Sequence, residues 1–146
     1  MLPFKTNFKL HRFIRSIFGF SKNHINGIGV DILQKSRIFK IKNQVGFAKR
    51  ILSMQEFVIY NQKTSDTQKA NYLAKRFCAK EAISKALGTG IGFVVSFKDL
   101  SVLNNLQGAP FVLVHKKSLQ KLKILVSISD EKDYCIAFAT IQKSYD

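Results

Sequence analysis

Paired metal-type cysteines, a membrane-length apolar run, internal repeats and low-complexity tracts are all missing from this chain, and acidic residues are scarce. Its two cysteines, Cys78 and Cys135, lie far apart without a CxxC spacing, which argues against a zinc clamp; both sit in apolar segments and read as buried, reduced thiols. No uninterrupted apolar stretch reaches the length that crosses a bilayer, so no membrane span is expected. Nine acids stand against 24 lysines and arginines, a formal charge of +15. Such a chain is drawn to something acidic: nucleic acid, anionic lipid, an acidic protein or a phosphorylated cofactor. Charge alone does not choose among them.

What is present suffices for one core. A chain of 146 residues that is 46% hydrophobic is too short for two ordinary domains. Lys5, Lys9, Arg12, Arg15 and Lys22 all precede the first acid, Asp31. Residues 1–24 mix these cations with Phe4, Phe8, Phe13, Ile14, Ile17 and Phe18. An acid-free amphipathic start of this kind resembles a mitochondrial or plastid presequence more than a secretory signal. A basic helix that packs on the domain or touches anionic lipid is the other reading. The expected division is a leader at 1–24, read as an organelle transit peptide, and a folded domain at 25–146.

From Ile25 to Leu33 the residues alternate as in a strand. Ile28, Val30 and Ile32 share one face; Gly27, Gly29, Asp31 and Leu33 share the other. Two glycines beside a carboxylate imply room for a ligand, room for another backbone, or a turn or bulge. The stretch from Lys35 to Tyr60 suits one or two amphipathic helices with a basic outer face. Residues 61–69 read as a loop or helix start. A strong helix follows from about Gln68 to Leu87, stopped by Gly88. Strands are predicted near Phe97–Leu103, Phe111–Val114, Ile124–Ser129 and Tyr134–Ile141, the last two forming a hairpin. Helices in the middle with strands at both ends make an α+β domain with an antiparallel sheet and a long central helix.

On that helix Phe77, Cys78, Glu81 and Lys85 fall along one stripe. Taken alone, Glu81 and Lys85 could be an ordinary surface ion pair, or could face a polar site at the edge of the core. Read in order, however, GIGVDI at 27–32, RFCAKEAISKALGTGIGF at 76–93 and VSIS at 126–129 resemble the holo-acyl carrier protein synthases. That family has a GxDI strand near its start, a central RFxxKEAxxKAxGTGIG segment and a late SIS strand followed by histidine. The resemblance runs from about Ile25 to Ile141.

It implies the 4'-phosphopantetheinyl transferase fold and a magnesium-dependent transfer of 4'-phosphopantetheine from coenzyme A to an acyl carrier protein serine, as in fatty acid biosynthesis. It places the magnesium carboxylates on Asp31 and Glu81 and the active-site lysine on Lys85, with Glu81 also a candidate for the serine's proton. Magnesium commonly takes one or two carboxylates plus substrate phosphates, which agrees with two separate acids. Arg76, Lys80 and Gly88 are candidates for coenzyme contact, Lys80 as a ligand-facing cation. The GTGIG run follows its helix, so its glycines read first as a helix stop and tight turn, and second as backbone contact to the coenzyme. Arg37, at the position matching the family's basic carrier contact, with Lys40, Lys42 and Arg50, would dock an acidic carrier protein, so the charge is assigned to the carrier and coenzyme and not to nucleic acid. The resemblance also implies a homotrimer with sites between subunits. One departure stands out: Asp130 occupies the place of the family's histidine. A weakly active or inactive carrier-binding relative is therefore the first rival, and a basic nucleic-acid-binding protein the second.

Overall fold

The computed structural model of the chain describes residues 24–143. The leader reading for residues 1–24 thus falls almost wholly outside the described residues. Strand β1 (Ile25–Gln34) is followed by three short helices, α1 (Ser36–Phe39), α2 (Gln44–Ile51) and α3 (Met54–Asn61), and by the long helix α4 (Asp66–Ala86). A 3-10 turn at Phe97–Asp99 leads into β2 (Leu100–Asn104) and β3 (Pro110–Val114); a second at Lys117–Leu119 leads into β4 (Leu122–Asp130) and β5 (Tyr134–Lys143).

The expected antiparallel pairing is present, divided between two sheets. β1, β5 and β4 form an antiparallel three-stranded sheet in that order, while β2 and β3 pair only with each other. The register sets Asp31 opposite Ala137, and Ala137 opposite Ile128. The basic stretch after β1 also makes three helices where one or two were expected. Asn43 caps α2 by accepting from the Gly46 amide, and Ser53 caps α3 with a reciprocal box to Glu56, so each segment starts afresh.

α4 begins at its Ser65 cap, which accepts from the Gln68 amide, and carries Asp66 in its first turn and Lys85 in its last, as the helix dipole favours. Gly88 ends it in the left-handed region (φ +74°). The buried side of α4 is rich in small residues, among them Ala74, Cys78, Ala82 and Ala86. Small side chains let the helix lie close on the sheet, where β5 offers Cys135, Ala137 and Ala139, all fully buried. Both cysteines are free thiols in this layer, as expected.

Among the described residues only one face of the three-stranded sheet is covered. Ile28, Val30 and Ile32 of β1, Ile136 and Phe138 of β5 and Leu125 of β4 are exposed on the other.

Candidate active site

Asp31 is placed by the two glycines that precede it on its own strand face. A Cβ on Gly29 would collide with the Ala82 carbonyl oxygen and the Ala86 amide nitrogen, and one on Gly27 with the Ala86 carbonyl oxygen. Of the readings open in sequence, room for another backbone is the one that holds. The glycines let α4 descend onto β1, and that descent brings Asp31 beside the turn of α4 carrying Glu81 and Lys85.

Lys85 donates to Asp31 Oδ1 at 2.8 Å and to the Val30 carbonyl at 3.1 Å. It therefore spans from helix to strand and does not close on Glu81 as a local i,i+4 pair. Its side chain is 51% exposed while that of Asp31 is 15% exposed, so the lysine is the solvent-facing member of the pair. The hydrogen bond to Asp31 raises the Lys85 pKa; desolvation opposes it, and the Asp31 and Glu81 charges add to the rise. Glu81 is held above the usual carboxylate range, first by burial and then by the Asp31 charge, with Lys85 opposing. Two carboxylates thus sense each other across the strand–helix contact with one ammonium between helix and strand. From beneath, the Cys78 thiol donates to the Asp31 carbonyl at 3.3 Å.

Lys80 is not ligand-facing. It is fully buried and donates to the Ile51 carbonyl at 2.8 Å, the Phe97 carbonyl at 2.7 Å and Glu56 Oε2 at 2.6 Å. All three ammonium protons are used inside the protein. Glu56 accepts in turn from the Ser53 and Val102 amides, each at 2.8 Å. Arg76 is also turned inward: buried, it lies over the Tyr72 ring at 4.5 Å and donates to Asn104 Oδ1 at 2.6 Å. Its role is to join α4 to β2. The Glu56–Lys80 pair escaped the sequence reading, although the Ser53-x-x-Glu56 spacing is a visible capping signal.

Gly88 and Gly90 follow α4 with positive φ (+74° and +66°), and a Cβ on either would meet nothing within 4 Å. Their need is conformational, and they leave an open surface just beyond Lys85.

Arg37, Lys40, Lys42 and Arg50 are all exposed. Apolar groups lie among them: Phe39 and Val45 are exposed, and Arg50 caps the Phe47 ring at 5.3 Å. Phe47 meets Phe77, and Phe77 meets Phe97, at 5.8 and 5.4 Å.

Asp130 ends β4 between two lysines, with Lys35 at 3.2 Å and Lys75 at 3.5 Å. Lys35 also donates to the Glu131 carbonyl at 2.8 Å. Burial alone would raise the Asp130 pKa; the Lys35 hydrogen bond and the charges of Lys75 and Lys35 outweigh that and hold it below the ordinary aspartate value. In this chain the residue after SIS is thus the centre of an internal lysine clamp.

Comparison with known proteins matches residues 27–139 to the family model described as the 4'-phosphopantetheinyl transferase superfamily. The chain belongs to this superfamily. Among transferase relatives, the holo-[acyl-carrier-protein] synthase of Vesicomyosocius okutanii is 44% identical over 126 residues, covering 81% of this chain and 97% of the relative. A Bacillus anthracis holo-(acyl-carrier-protein) synthase, solved in complex with CoA (3',5'-ADP), superposes with a TM-score of 0.73 at 36% identity, covering 82% of this chain and 98% of that one. The holo-ACP-synthase of Plasmodium yoelii superposes with a TM-score of 0.73 at 35% identity, covering 84% and 98%. The α+β transferase fold expected from GIGVDI and the KEA segment is the fold observed. Among the described residues no three metal-ligating side chains gather in one place; the strand–helix contact at Asp31 and Glu81 offers two carboxylates.

Proposed function

We propose that this chain transfers 4'-phosphopantetheine from coenzyme A to a serine of apo-acyl carrier protein, releasing adenosine 3',5'-bisphosphate. The observation that carries this is the Asp31–Lys85 contact beside Glu81, in a chain 44% identical to a named holo-[acyl-carrier-protein] synthase. In the reaction the serine oxygen bonds to the β-phosphorus of coenzyme A, and the bond from that phosphorus to the bridging oxygen breaks. The serine proton must leave and negative charge must be neutralised on the departing phosphate.

The side chains fit both needs. Asp31 and Glu81 are hard oxygen donors too few to enclose a metal alone, which suits magnesium, an ion that completes its shell with substrate phosphates and water. Bound there, magnesium would supply neutralising charge to the pyrophosphate. Glu81, with a raised pKa and half buried, is suited to take the serine proton. Lys85 offers a point charge for the reacting phosphate, and Gly88 an open backbone next to it. Lys80 and Arg76 support this site from within and leave the coenzyme-binding set. Arg37, Lys40, Lys42 and Arg50, with apolar Phe39 and Val45 between them, form the carrier-docking face. The uncovered apolar face of the three-stranded sheet is where copies join, as a trimer.

The test is to weigh an apo-carrier after incubation with the chain, coenzyme A and magnesium. A phosphopantetheine mass gain is expected, abolished by chelation and reduced at least about a hundredfold in Asp31→Ala and in Glu81→Ala. No gain with any of several carriers, from a folded protein, would overturn the reading and leave a carrier-binding relative. In the same assay, Arg37→Glu with Lys40→Glu should raise KM for the carrier and leave KM for coenzyme A unchanged; equal effects on both would remove the docking face.

The leader belongs to this reading as well. Residues 1–24 precede the matched region and carry five cations before the first acid, which supports import into an organelle that makes its own fatty acids. A reporter fused to residues 1–26 should concentrate there, and a diffuse signal would discard the assignment.

A further inference from the structure

A recess that shares no residue with the Asp31–Glu81 site opens where α2 passes into α3 against the 3-10 turn before β2. Its volume is about 610 Å³, within the range of small-molecule sites. Lys49, Lys98 and His115 line it, and no carboxylate does. Neither lysine has an acidic partner among the described residues. In a chain this basic an unpaired surface lysine is ordinary, but two lysines and an imidazole brought to one concavity from three separate segments are a different matter.

The histidine is held in place. Its Nε2 lies 2.6 Å from Ser101 Oγ, and that hydroxyl, fully buried, also lies 2.6 Å from Ser53 Oγ and 3.2 Å from Gln55 Oε1. The His115 amide donates to the Asp99 carbonyl at 2.8 Å, fixing the backbone too. With Nε2 committed inward, Nδ1 is the nitrogen left for a ligand. The remaining walls are apolar: Leu52, Phe57 and Met54, the last almost fully exposed although it is a large hydrophobe.

We infer that this recess binds an anionic amphiphile, with a phosphate or carboxylate head on Lys49, Lys98 and His115 and a short hydrocarbon portion on Leu52, Met54 and Phe57. A bare inorganic anion would leave the apolar walls wet, and a nucleic-acid strand does not enter a recess of this size. The head and tail are recognised by different groups, so the two can be tested apart.

The experiment is a heteronuclear NMR titration of the full chain, without coenzyme A or carrier, using octyl phosphate, octanoate, inorganic phosphate and octyltrimethylammonium in turn. Because neither transfer substrate is present, failure here leaves the proposed transfer untouched. Octyl phosphate or octanoate should saturate with shifts at the His115 ring and the Met54 methyl, the tighter of the two naming the head group. Lys98→Gln, at an exposed position, should weaken that binding about tenfold, the loss of one charge-assisted contact. Inorganic phosphate binding as tightly as octyl phosphate would reduce the site to a simple anion hole and overturn the inference. So would equal binding of octyltrimethylammonium, insensitivity to Lys98→Gln, or the absence of saturable shifts with both anionic amphiphiles.

Discussion

At the scale of single residues, the division of labour on α4 turns on direction around the helix. Lys80 and Glu81 are neighbours in sequence, yet successive residues point about 100° apart on a helix. Glu81 looks toward Asp31 and Lys80 looks into the core. Burial pushes the Lys80 pKa down, and the charge and hydrogen bond of Glu56 oppose that. The pair is valuable because it is complete: every Lys80 proton and both Glu56 oxygens have partners drawn from the end of α2, the Ser53 cap, the 3-10 turn and β2. Removing one partner leaves a buried charge, so Lys80→Met is expected to cost about 3–5 kcal/mol. That is a large share of the about 5–15 kcal/mol that stabilises a domain. Urea unfolding followed by circular dichroism measures it; a midpoint close to that of the parent chain, with an unchanged slope, would mean that the pair adds little.

At the scale of elements, the β4–β5 hairpin is pinned to the start of α1 and to α4 by the Asp130 clamp. The Asp130 pKa is lower in the folded chain than in the unfolded one. Its contribution to stability is therefore full above the ordinary aspartate pKa of about 3.9 and disappears as pH falls through the lower folded value. Melting temperatures compared across pH with those of Asp130→Asn should show a constant advantage for the parent chain above that range, closing in acid; a gap that persists at the lowest pH would assign the effect to shape and not charge. The same hairpin shows what was legible in sequence. Asp31's place beside Glu81 and Lys85 came from the family resemblance, while the strands, the long helix and the Glu81–Lys85 stripe could be read directly, because alternation, helical spacing and glycine stops are local signals. The identity of Asp130's partners could not, since Lys35 and Lys75 lie 95 and 55 positions away and nothing local points to them. Lys80 was misread for the same reason: its partner Glu56 is 24 residues distant. The second sheet was also hidden, because the apolar runs that predict strands do not say which strands pair.

At the scale of the whole molecule, the helix layer covers one side of the β1–β5–β4 sheet, and among the described residues nothing covers the other. Ile28, Val30, Ile32, Leu125, Ile136 and Phe138 are exposed on strands that are hydrogen-bonded neighbours, so they form one contiguous surface and not scattered hydrophobes. A continuous apolar sheet face on so small a domain is the mark of an interface. The high net charge works against non-specific clustering, so association through this face should be a defined, closed one, and the proposed trimer is such an arrangement. Sedimentation velocity should accordingly give a species of three times the 16.6 kDa chain mass. Phe138→Lys, which sets a charge at the centre of the face without touching the α4 side, should give monomers with the parent circular dichroism spectrum. If the transfer site is shared between copies, those monomers should also lose transfer although Asp31, Glu81 and Lys85 are intact. Monomers that retain full activity would place the whole site within one chain, and a parent protein that sediments as a monomer would leave this face to a different partner.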